Sequence, residues 1–151
     1  MNQEGILSIR SVLESCLERE RMSIRLYDRA LEIVKGQASL QILQKLRREE
    51  GNHARLLTGA LEGGGIDVLG QKELSGRLFV APKAEPTLAE GSSPGNVIAF
   101  AVRHEERSIE YYSRYLDAFR GTELGELFAR LRGEEEAHRE KLLQMAEKIR
   151  E

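Results

Sequence analysis

Apolar residues recur at three- and four-residue spacing along four stretches of the chain. In the first, from about Gly5 to Lys35, Ile6, Ile9, Leu13, Cys16, Ile24, Tyr27, Leu31 and Val34 share one helical face. In the second, ending near Leu61, Ile42, Leu43, Leu46, Leu57 and Leu61 do the same. Gly36 reads as the stop signal between them and Ser39 as the N-cap of the second. The third stretch opens at Ser93-Pro94, a capping hydroxyl followed by a first-turn proline. It carries Val97, Ala101, Ile109, Tyr112, Leu116 and Phe119. Gly121-Thr122 ends it and starts the fourth, with Leu124, Phe128, Leu131, Leu142, Met145 and Ile149. The pattern predicts four amphipathic helices and an all-α chain.

The two pairs of helices resemble each other. Shifting the sequence by 85 residues aligns it with itself without a gap. Glu20 meets Glu105, Tyr27 meets Tyr112, and Gly36 meets Gly121. Leu46-Arg47 meets Leu131-Arg132, Glu49-Glu50 meets Glu134-Glu135, and His53 meets His138. Shared heptad composition does not place Glu, Tyr, Gly, Glu-Glu and His at one common offset. Two copies are too few for a solenoid, so the repeat reads as a duplicated helical hairpin.

The joins within each half are short, which forces antiparallel hairpins. The connection over 62–92 differs, with a triple glycine, two prolines and a Gly-Ser-Ser run at its end. About thirty extended residues reach roughly 100 Å at ~3.3 Å each. A helix of about 25 residues is only ~38 Å long. The segment can therefore cross the length of a bundle, permitting an up-down-down-up arrangement. The expected organisation is one domain over 1–151: a hairpin over about 5–61, a long crossover over about 62–92, and a second hairpin over about 93–150.

Composition narrows the class. The 151 residues include 40% hydrophobic and 32% charged positions, with three prolines, which suits a globular helical protein. A net charge of -2 with both signs interspersed gives no reason to expect nucleic acid or an anionic membrane as partner. The longest apolar run, Val97 to Val102, is too short to span a bilayer, and the N-terminus lacks the pattern of a signal peptide. Cys16, the single cysteine, falls among Leu13, Leu17 and Ile24 and reads as a small buried hydrophobe. A cytoplasmic setting follows as the default.

Each apolar stripe is interrupted once. Glu20 replaces a core residue in the first helix and Glu105 in the third. Glu50 and His53 sit between Leu46 and Leu57, and Glu135 and His138 between Leu131 and Leu142. A Glu-x-x-His spacing puts both side chains on one face, about one turn apart. Four buried carboxylates cost several kcal/mol each unless a counter-charge meets them. No Lys or Arg shares the stripe at these places. Two divalent cations balance four carboxylates, and neutral imidazoles add ligands without charge. A lone Glu-x-x-His on a charged helix means little. Two such pairs, each 30 residues after a stripe Glu, give the dinuclear carboxylate pattern. The pseudo-twofold assigns Glu20 and His53 to one ion, Glu105 and His138 to the other, and Glu50 and Glu135 to both. Glu49, Glu106, Glu134 and Glu136 lie about 100° around their helices and are expected in solvent. His104 is expected at the surface. Tyr27 and Tyr112 read either as core packing or as outer donors that orient a carboxylate, while Tyr111 and Tyr115 read as packing or interface residues.

These residues resemble the ferritin-like superfamily, most closely its rubrerythrin and bacterioferritin branches, across all four helices but not the crossover. The resemblance implies a ferritin-like four-helix bundle with two iron ions. It implies an oxidoreductase, a ferroxidase or a peroxidase-like protein, acting on ferrous iron with dioxygen or hydrogen peroxide. Three departures qualify it. The chain has no Cys-x-x-Cys, so a rubredoxin domain is absent and electrons would come from a separate donor protein. Ser108 stands where rubrerythrins carry an extra Glu, and Gly51 where bacterioferritins carry a haem-binding Met. A non-catalytic metal-binding or iron-sensing module, with 62–92 as a partner loop, and a dimanganese catalase-like or mixed-metal site are the other readings. A homodimer is the expected assembly.

Overall fold

A computed structural model describes residues 9–63 and 87–150. It contains four helices, α1 (Ile9–Ile33), α2 (Gln37–Glu62), α3 (Pro94–Ala118) and α4 (Glu123–Arg150), with no strand among the described residues. Gly5 to Ser8 and residues 64–86, most of the expected crossover, lie outside the described residues.

Local chemistry sets the helix boundaries. Ser93 Oγ accepts a hydrogen bond from the Asn96 amide at 3.1 Å, and Pro94 occupies the first turn of α3. At the start of α4, the Thr122 hydroxyl accepts from the Gly125 amide at 3.1 Å, and Glu123 and Glu126 place negative charge in the first turn. The two tight turns are built alike: Gly36 has φ 104° and Gly121 has φ 84°, a region that side chains with a Cβ avoid. Ser39 does not cap α2. The helix starts two residues earlier at Gln37, because the Gly36 turn already lets the Leu40 amide reach the Gly36 carbonyl at 3.0 Å.

The helices form a ring in which α1 packs on α2 and α3, and α4 packs on α3 and α2. All four contacts are antiparallel. Arg10 donates to the Leu61 carbonyl at one end of the α1–α2 pair, and Arg47 pairs with Asp28 towards the other. The α3–α4 pair is joined by only Phe119 to Thr122. Arg19 meets Ser108 and Ser23 meets His104 across α1–α3, while Glu49 meets His138 and His53 meets Glu134 across α2–α4. The last turns of α2 and the first turns of α3 sit at opposite ends of the bundle. Leu57 packs with Ile9, Leu13 and Phe128, whereas Val97 packs with Val34, Leu43 and Met145.

Those two apolar clusters are separate plugs, one at each end. Glu20, Ser23, Glu50, His53, His104, Glu105, Ser108, Glu135 and His138 are buried polar residues of the same four helices. No helix among the described residues is long and apolar enough to cross a membrane.

The fold generates a paired test on two helical glycines. A Cβ at Gly125 would strike the Phe119 carbonyl, so Gly125→Ala should cost about 1–3 kcal/mol in urea unfolding. A Cβ at Gly133 meets nothing within 4 Å, so Gly133→Ala should stabilise by about 0.5–1 kcal/mol in the same measurement.

Candidate metal centre

The six residues that interrupt the apolar stripes converge. Glu20, Glu50, His53, Glu105 and Glu135 are at most 1% exposed, and His138 is 2% exposed. They fall into two groups, Glu20–Glu50–His53–Glu135 and Glu50–Glu105–Glu135–His138. Within each group one oxygen or nitrogen per residue lies within 4.8 Å of all the others, a spacing that could hold a metal ion. Glu50 and Glu135 belong to both groups. His53 Nδ1 lies 3.0 Å from Glu50 Oε1, 3.3 Å from Glu20 Oε1 and 3.7 Å from Glu135 Oε1. His138 Nδ1 lies 3.0 Å from Glu135 Oε1 and 3.5 Å from both Glu50 Oε1 and Glu105 Oε2. The two imidazoles stack with centroids 5.7 Å apart and planes 12° from parallel.

The donor atoms themselves test whether cations fit. Glu20 Oε1, both oxygens of Glu50 and of Glu135, Glu105 Oε1 and the two histidine Nδ1 atoms are buried without a well-formed hydrogen bond. Native interiors leave few polar atoms in that condition, because each one costs its desolvation. Here eight of them belong to the same six side chains. Oxygen and imidazole nitrogen are the donor types that divalent iron, manganese and zinc accept.

The remaining atoms of the same side chains are fixed from outside. His53 Nε2 pairs with Glu134 Oε1 at 2.7 Å, and His138 Nε2 pairs with Glu49 Oε1 at 2.8 Å. These outer carboxylates orient the rings so that each Nδ1 faces inwards. Tyr112 donates to Glu20 Oε2 at 2.5 Å, and Tyr27 donates to Glu105 Oε2. Each tyrosine thus holds the carboxylate of the opposite hairpin. Burial, then the charge of the bonded glutamate, holds both phenols well above their ordinary pKa, in the protonated form that donates.

Two sequence expectations are corrected here. Glu49 and Glu134 are half-buried partners of the histidines rather than solvated bystanders. The doubled Glu-Glu in each half carries this signal: the stripe takes the second Glu of each pair, leaving the first beside the opposite helix. His104 is buried, not at the surface. Its Nε2 meets Ser23 Oγ at 2.7 Å, and burial, then the Arg19 charge, lowers its pKa to about 4. Arg19, its counterpart in the first half, is also buried and donates to Ser108 Oγ at 2.8 Å and to the His104 carbonyl at 3.3 Å. Its guanidinium stacks 5.0 Å from the centroid of Tyr111. Arg19 occupies the α1–α3 contact because Ser108, Tyr111 and the His104 carbonyl give its charge a polar and aromatic lining. Cys16 is buried as expected, and burial, then the Glu20 charge, holds the thiol protonated.

Protons and cations compete for the inward atoms. Burial, then the charges of Glu105 and Glu20, pushes Glu50 up to about 8, and burial, then Glu105 and Glu50, pushes Glu135 well above the carboxylate range. Burial opposes protonation of His53, but Glu20 and Glu50 outweigh it and raise His53 to about 11. Burial likewise opposes protonation of His138, and Glu105 and Glu50 raise it to about 9. The folded protein therefore binds more protons at these groups than the unfolded chain does. The histidine contribution is complete below the ordinary pKa of 6.5 and lost through the raised values. A carboxyl raised to about 8 likewise favours unfolding as pH climbs past its ordinary 4.5. Glu105, whose pKa is lowered because His138 and Tyr27 outweigh its burial, acts with the opposite sign at acid pH.

Thermal unfolding of the metal-free protein should accordingly show Tm falling as pH rises from 6.5 to about 9. The same scan with a divalent cation in excess should be flatter, because metal holds the ligands deprotonated. A metal-free Tm that rises over that window would contradict the arrangement. No family model matches this sequence, and neither does any curated protein or solved structure.

Proposed function

We propose that the chain is a ferritin-like protein with a dinuclear iron centre, acting on ferrous iron with dioxygen or hydrogen peroxide. The supporting observation is the set of inward-facing orphaned atoms on Glu20, Glu50, His53, Glu105, Glu135 and His138. Glu20 and His53 would hold one ion, Glu105 and His138 the other, and Glu50 and Glu135 would join both. Bound there, a pair of ferrous ions supplies the two electrons that reduce an oxidant.

The chain's own residues do the rest. Glu49 and Glu134 keep each imidazole in one tautomer and orientation. Tyr112 pins Glu20 Oε2 and leaves Oε1 facing His53 Nδ1, whereas Tyr27 bonds Glu105 Oε2, the oxygen beside His138 Nδ1, and leaves Glu105 Oε1 without a partner. Glu50 and Glu135 have no partner outside the centre among their buried oxygens, so they are free to change how they bind as the ionic charge changes. The apolar clusters close the layer off at both ends of the bundle.

Elemental analysis of protein purified without added metal should find iron approaching two ions per chain. Anaerobic ferrous loading followed by peroxide should then give stoichiometric oxidation. Manganese in place of iron would move the reading to a dimanganese site. Oxidation that stops after one equivalent would make it a binder or sensor. Failure to take up iron, manganese or cobalt would sink the dinuclear reading itself. Glu134→Ala should weaken metal binding about 10–100-fold by freeing His53 Nε2, measured by competition with a chelating dye.

A further inference from the structure

The ligand set is nearly symmetric, but its surroundings are not. A cavity of about 430 Å³ opens on the α2–α4 face, lined by Glu49, Asn52, Glu134 and His138, with Lys45 and Lys141 among its walls and Ala137 at its side. It reaches His138 and not His53. The repeat explains the difference. Lys141, beside the cavity, corresponds to Leu56, which packs against the apolar cluster at the other end. Lys45 corresponds to Arg130. Arg130 donates to Glu134 at 3.0 Å and braces the outer carboxylate of His53. Lys45 stands 3.9 Å from Glu49, a looser contact at similar exposure. Both outer carboxylates, Glu49 and Glu134, therefore border this open space, but of the two histidines only His138 does, and the carboxylate of His53 is braced by Arg130.

We infer that this cavity is the route by which divalent cations reach and leave the centre, so that the two ions are kinetically unequal. The inference rests on the dinuclear reading above. The ion on Glu105 and His138 exchanges directly with solvent through the α2–α4 cavity. The ion on Glu20 and His53 leaves only after it, through the position it vacates. Glu49 carries the cation past the mouth: one of its oxygens already faces His138, and the other faces Lys45, which an incoming dication displaces. Near-equivalent ligand sets predict no such order, so any order must come from the open side.

Cobalt(II) provides a readout independent of turnover, through its visible absorption. The full chain loaded with cobalt and mixed with excess EDTA should lose its metal in two sequential phases. His138→Ala should remove the fast phase and His53→Ala the slow one. Ala137→Trp fills the cavity from an exposed position. It should slow both phases by an order of magnitude while cobalt capacity and helical circular dichroism stay at the wild-type level. Asn52→Trp, also exposed, is the second variant should the first fail to fold. Full capacity with unchanged rates in the Trp variants would overturn the inference and leave the dinuclear centre standing. So would loss of the fast phase in His53→Ala. No cobalt uptake by the wild type would overturn both.

Discussion

Four glutamates and two histidines meet in the interior of this bundle, and the charge they bring together constrains everything around them. In a low-dielectric interior, like charges a few ångströms apart repel strongly. The effect is visible in Glu50 and Glu135, whose affinity for protons is raised by burial and by the other carboxylates. Such a layer persists only if something positive enters it and if its outer atoms are satisfied. The first requirement falls to protons or metal ions. The second is met by Tyr27, Tyr112, Glu49 and Glu134, each reaching across to a different helix.

That crosswise bonding ties the polar layer to the assembly of the two hairpins. Tyr27 of α1 bonds Glu105 of α3, and Tyr112 of α3 bonds Glu20 of α1. Neither hairpin alone can satisfy its own terminal glutamate in this way. The apolar clusters have the same character: each gathers residues from both hairpins, with Leu13 beside Phe128 at one end and Leu43 beside Leu142 at the other. Packing and polar satisfaction therefore favour the same association.

Much of this was legible in the sequence because two periodicities coincide. Helical spacing marked the four apolar faces and put the second glutamate of each Glu-Glu pair, three residues before a histidine, in the stripe, and the 85-residue repeat presented that pattern twice. Glu50 and Glu135 could be preferred over their neighbours for that reason. What periodicity does not reveal is how a side chain just outside the stripe spends its polar atoms. Glu49 and Glu134 look like surface acids on their own helices, and only the approach of α2 to α4 turns them towards the histidines. His104 and Arg19 escaped for a related reason. Each is buried by contacts on the opposite helix, Ser23 for one and Ser108 with Tyr111 for the other, at positions where the repeat itself changes residue type. The Ser39 cap failed because a glycine with positive φ had already made the turn.

The Arg19 and His104 positions carry an implication of their own. Two separate hairpins of identical sequence, associating as a dimer, would have to place the same residue at both spots: two arginines or two imidazoles facing each other across the axis. Joining the halves in one polypeptide lifts that constraint. One side of the α1–α3 contact can then hold a permanent cation and the other a neutral ring, with Tyr111 stacked at the first and Leu26 at the equivalent place in the second. Covalent fusion thus permits a polarity along the bundle that strict rotational symmetry forbids, while the glutamates and histidines between the two positions keep matched residue types.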